Sequence, residues 1–103
     1  MQTIPLVCTL TDADYQDRET AWLKLGPFVK ASAAVPGGLT FTFARVTGLQ
    51  DSLTELVRLE AECCAWMAFA LTESLEGIRL SITSHIAEGE RAVREAFAQL
   101  ARL

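Results

Sequence analysis

Two cysteines stand side by side in the stretch LVRLEAECCAWMAFAL, residues 56–71, and Glu60 precedes them by about one helical turn. A helix advances roughly 100° per residue, so Glu60 lies at i−3 from Cys63 and i−4 from Cys64 and all three can share a face. Thiolates are the preferred donors for soft, thiophilic ions. Mercury(II), arsenic(III) and copper(I) fit that description, and zinc can use three cysteines with a fourth ligand. Adjacent cysteines suit two-coordinate or trigonal soft ions better than an ideal tetrahedral site, because such ions tolerate wide S–metal–S angles. The remaining cysteine, Cys8, alternates with Leu6 and Leu10 along an expected strand. If that strand face meets the helix, the three thiols converge. Glu60 would then supply an oxygen, or take up the protons that thiols release when they bind metal. Residue types and spacing thus point to a metal site made of Cys63, Cys64, Cys8 and Glu60.

Two other chemistries compete with this reading. Free cysteine behaves as a small hydrophobe and is among the most buried residue types, so the thiols can equally be inert core residues of a structural or dimerisation module. On that reading a homodimer is the expected partner. A carboxylate on an apolar helix face must be paired if it is buried; Arg18 and Arg45 are the candidate partners of Glu60. The second competitor is thiol redox chemistry. Cys8-Thr9-Leu10-Thr11 falls where an expected strand gives way to a helix, and a helix N-terminus lowers a thiol pKa. Against it, the chain has no C-x-x-C and no proline before the third expected strand. A Cys63–Cys64 disulfide would also require a non-helical peptide.

Other chemistry finds little support. His85 follows the last expected strand and reads as a solvated turn residue. Trp22, Trp66, Phe41, Phe43 and Phe69 read as core. There is no phosphate-binding loop, no G-x-S-x-G and no H-E-x-x-H, so nothing suggests a hydrolase or a nucleotide enzyme. Sequestration or delivery of an ion is expected rather than catalysis.

The 103 residues suit one domain, 1–103, and half of them are hydrophobic, enough for a core without disulfide or metal staples. Nine basic and thirteen acidic residues leave a net charge of −4. No basic block is present, which argues against nucleic acid or an anionic membrane surface as partner. The first residues, MQTIPLVCTLTDAD, lack the pattern of a signal peptide, and no apolar run nears the ~20 residues of a membrane span. A cytoplasmic protein with reduced thiols is the expectation.

The elements that must position the thiols follow from periodicity. Residues 4–10 read as a strand, with Thr11 capping a helix that runs to about Val35 and is kinked at Gly26-Pro27. Residues 35–38, VPGG, form a turn, and 39–46 the clearest strand. Ser52 and Glu55 make a capping-box pattern that opens a second helix. Along it Leu53, Leu56, Val57, Glu60, Cys63, Cys64 and Met67 recur at helical spacing. Residues 67–72 and 78–84 alternate as a hairpin around ESLEG, and a last helix, 88–103, buries Val93, Ala96, Phe97 and Leu100. No internal repeat is visible. The order β-α-β-α-β-β-α predicts an α/β fold with a single mixed sheet of about four strands, an order that matches a thioredoxin-like fold.

The segment Glu60-Ala61-Glu62-Cys63-Cys64-Ala65-Trp66 resembles the signature of a group of small, mostly uncharacterised bacterial proteins: E-x-x-C-C, then proline and an aromatic, then a hydrophobic strand. The CTLT near the start and Arg18 in the following helix look similar too. The resemblance implies an association with heavy-metal resistance. Vicinal cysteines also occur in mercury-handling proteins, including the C-terminal tail of mercuric reductase. This chain departs from the pattern at Ala65, where proline is usual, and alanine there would let the helix continue further.

Overall fold

In the computed structural model, which describes residues 12–101, four strands form one antiparallel sheet in the order β1-β2-β4-β3. The strands are β1 (Val29–Val35), β2 (Gly38–Phe43), β3 (Met67–Ser74) and β4 (Gly77–Ser84). Alternation along β2 and β4 turns Leu39, Phe41, Phe43, Ile78, Leu80 and Ile82 to one face, where they are buried. The opposite face carries Thr40, Thr42, Ser81 and Thr83, half-buried, and exposed Arg79. Both hairpin connections are tight. Pro36-Gly37, with Gly37 at φ +89°, joins β1 to β2 with the residue pair that a type II turn favours. Leu75-Glu76 joins β3 to β4, and Gly77 enters β4 at φ +141° with its Cα against the Phe43 carbonyl, where no side chain fits.

Helices cover the apolar face. They are α1 (Asp12–Leu23), α2 (Leu49–Cys63), α3 (Gly89–Ala96) and the short α4 (Ala98–Ala101), with a 3₁₀ turn at Gly26–Phe28. Trp22, Leu49, Leu53, Val93, Phe97 and Leu100 pack with the inward sheet residues into one core. Hairpin followed by helix occurs twice, as β1-β2-α2 and β3-β4-α3, with β2 and β4 side by side at the centre. α3 also clamps the first hairpin. Glu90 accepts the Gly37 N–H at 2.6 Å, while Arg94 donates to the Val35 and Gly38 carbonyls at 3.0 and 3.2 Å.

The α/β class and the single four-stranded sheet are as expected, with differences in detail. Residues 29–35 pair as a strand instead of continuing the first helix. α1 ends at Leu23, Pro27 sits in the 3₁₀ turn Gly26–Phe28 after which the chain is extended from Val29, and the VPGG turn folds this segment back along β2. Every described strand pair is antiparallel, so the sheet is not mixed among the described residues, and none of its pairs is the parallel crossover of a thioredoxin-like sheet. The expected strand at 4–10 and the Thr11 cap lie outside the described residues. α2 opens at Gly48, φ +84°, so Ser52 and Glu55 lie inside the helix; Glu55 instead meets Arg58. The last helix breaks at Phe97, and Ala96 is exposed while Ala92 packs on the core.

Candidate functional site

α2 ends at Cys63 although Ala65 would permit it to go on. Cys64 leaves helical geometry at φ −123°, ψ 75°, while its N–H still donates to the Glu60 carbonyl at 2.8 Å. Its own carbonyl accepts the Met67 N–H at 3.0 Å, a turn that feeds the chain into β3. The Trp66 carbonyl accepts from His85 N–H at 2.8 Å, which ties this turn to the end of β4. Cys64 is only 1 % exposed and belongs to the core. It is disulfide-bonded, with its partner sulfur outside the described side chains.

Glu60 is the single buried charged or polar side chain in the described core, at 7 % exposure. Arg18 Nη1 donates to Oε1 at 2.9 Å and Trp22 Nε1 to Oε2 at 2.9 Å. Arg18 and Trp22 are four residues apart on α1, so one helix face supplies both donors. The pair is largely shielded, with the Arg18 and Glu60 side chains 14 % and 10 % exposed. Trp22 also packs edge-on against Phe97, ring centres 5.3 Å apart. The carboxylate therefore holds α1 onto the end of α2, and each of its oxygens is engaged by a donor. Arg45, the other candidate partner, instead reaches Glu73 and the Ser74 carbonyl.

Beside this pair lies a cavity of about 130 Å³. Its inner wall is Trp22, Met67, Phe97 and Leu100, with Glu60, Arg18 and Cys64 at one side. Exposed Glu19, Glu95, Ala96 and Gln99 mark its mouth. Sequence reasoning reached Glu60, Cys64 and Arg18 but not the cavity, which needs α1, the end of α2 and the α3–α4 bend together. Arg18-x-x-x-Trp22 was the legible signal: an arginine and a tryptophan one turn apart, both able to donate to a buried carboxylate.

The four residues expected to form a metal site stand as follows. Glu60 and Cys64 come together at one cavity wall. Cys63 is the last residue of α2, with its side chain outside the description, and Cys8 lies outside the described residues. Among the described residues no group of three or more His, Cys, Asp or Glu side chains is placed to hold a metal ion. His85 is exposed. On the outer side of α2, Arg58 bridges Glu55 and Glu62, and its hydrogen bond holds the Glu55 carboxyl below its ordinary value. No helix among the described residues is long and apolar enough to cross a membrane. No protein-family model, curated protein or solved structure matches the chain.

Proposed function

We propose that the protein binds a soft metal or metalloid ion through the Cys63–Cys64 pair in its dithiol state, with Cys8 as a further donor, for sequestration or delivery. The observation that carries this reading is the placement of Cys64 at a cavity wall beside Glu60. The cysteine leaves the helix there, so adjacent thiols are not confined to helical directions. Soft ions bind two or three thiolates without a rigid polyhedron. Glu60 is committed to Arg18 and Trp22. Its part is to fix the end of α2 and set the charge beside the sulfur. The resemblance around E-x-x-C-C supports the same chemistry.

Thiol–disulfide exchange is the second reading, favoured by the disulfide at Cys64. Alkylation separates the two. In reduced, folded protein, stoichiometric mercury(II) or copper(I) should protect thiols from alkylation in step with binding. A redox protein would instead reduce a disulfide substrate catalytically, and Cys64→Ser would abolish that turnover. Thiols that react only after unfolding would show that both readings are wrong and that the cysteines are core residues.

A further inference from the structure

β3 is an outer strand of the sheet, and among the described residues no strand pairs with its open edge. Natural edges are blunted by lysine, proline or a bulge, because their N–H and C=O groups invite another strand. β1, the opposite edge, has Lys30 and a register irregularity between Val29 and Ala31. β3 has neither: its register with β4 is unbroken, and Met67 to Thr72 hold no charge and no proline. Phe69 and Leu71, opposite Ile82 and Leu80, lie on the core side yet stay only half-buried. α2 continues the same surface. It packs on β3, whereas α1 meets α4, which packs on β1. The flank of α2 turned away from α1 therefore faces out beyond β3. Asp51, Ser52, Glu55 and Leu56 form the flank nearest α1. At ~100° per residue the other flank carries Gln50, Thr54, Val57 and Ala61, again without charge. Depletion of charge marks the centre of an interface.

We infer that β3 is the contact surface of a homodimer: its edge pairs antiparallel with β3 of a second copy about a twofold axis at Ala70, and the two sheets join into one. A second copy is the occupant because the strand complements itself. Antiparallel pairing centred on Ala70 sets Phe69 against the partner's Leu71, and Leu71 against the partner's Phe69, on the core side. Ala68 meets the partner's Thr72 on the other side. Glu73 falls opposite Met67 at each end, so no like charges face each other, and it meets Arg45 in its own chain. An uncharged edge offers a foreign partner no charge to select. A strand of eight residues spans ~27 Å, and a sheet with one helix layer stands ~20 Å high, which gives on the order of 500 Å² per copy. The total, ~1,000 Å², is where specific interfaces begin, so the dimer should dissociate on dilution. The inference stands apart from the soft-ion reading.

The test is sedimentation of the full chain from micromolar to submillimolar concentration, with and without reductant. A reversible monomer–dimer equilibrium that reductant leaves intact is expected. Ala70 is exposed, so Ala70→Lys should fold; it brings two like charges together at the axis and should weaken the dimer by about tenfold or more. Ala33→Lys, the matching change at an exposed position of β1, should leave it unchanged. In the parent protein, hydrogen exchange read by mass spectrometry should find β3 amides more protected at high than at low concentration, with β1 amides unaltered. A monomer throughout the range would overturn the inference, as would a dimer that folded Ala70→Lys leaves intact or that Ala33→Lys disrupts. β3 amides equally protected at both concentrations would put a segment of the same chain on the edge and overturn it too.

Discussion

Arg18→Met is the most informative perturbation of the structure. It keeps much of the aliphatic stem and removes the guanidinium from a carboxylate that is only 10 % exposed. Glu60 keeps the Trp22 indole at 2.9 Å but loses the Arg18 guanidinium. Breaking a buried ion pair from one side costs ~3–5 kcal/mol, because the remaining charge is left desolvated. Arg18 retains 14 % exposure, so water can partly replace it, and the lower end, about 3 kcal/mol, is expected. For a domain of this size each kcal/mol lowers Tm by ~4–8 °C, so the melt should fall by about 12 °C or more. Glu60→Gln keeps an acceptor for Trp22 and loses one charge-assisted bond, worth ~1.5–3 kcal/mol. Arg18→Met combined with Glu60→Leu leaves no buried charge among the described residues and should recover much of the loss. Urea unfolding followed by circular dichroism, run on the parent and the three variants, closes the cycle. A loss below about 1 kcal/mol for Arg18→Met, or a double variant as unstable as the sum of the singles, would refute the pairing as the clamp between α1 and α2.

Three further outcomes follow from the same geometry. Trp22→Phe and Trp66→Phe remove the same atoms, but Trp22 uses its N–H, whereas the buried Trp66 Nε1 has no hydrogen-bond partner among the described residues; calorimetry should find Trp22→Phe less stable by about 1–3 kcal/mol. Gly77→Ala sets a Cβ against the Phe43 carbonyl at φ +141°, so it should unhinge the β2–β4 pairing and cost more than ~2 kcal/mol in a denaturant melt. Arg58→Ala should return the depressed Glu55 carboxyl toward its ordinary value in a carbon-detected NMR titration; in the parent, the stability linked to that depression is present at neutral pH and is lost as pH falls through the folded-state value.

How far the sequence disclosed the fold depended on what each element packs against. β2 and β4 alternate apolar and polar residues because one face is buried, and they were legible for that reason. β1 was not. Its sequence, VKASAAV, is rich in residues that suit a helix, and Lys30 to Ala34 are exposed, so no burial pattern marks it as a strand. Pairing with β2 decides its state, a tertiary effect that periodicity does not carry. The N-terminus of α2 was misplaced because Ser52-x-x-Glu55 mimics a capping box while Gly48 makes the turn. At the site, helical spacing put Glu60 on the buried side of α2, whereas Cys64 is buried just past the end of the helix. That spacing said nothing of where α2 would stop, of which arginine would reach Glu60, or of the cavity. Those depend on α1 and on the bend at Phe97, both remote in sequence.

The measurement that tests the central claim most directly is native mass spectrometry of the reduced protein, prepared without oxygen and mixed with one equivalent of mercury(II). The account predicts a folded adduct of a single ion whose mass shows at least two protons displaced, with Cys64→Ser removing one of those protons or abolishing the adduct. A folded, fully reduced protein that takes up no ion would contradict it, as would an adduct that Cys63→Ser and Cys64→Ser together leave unchanged.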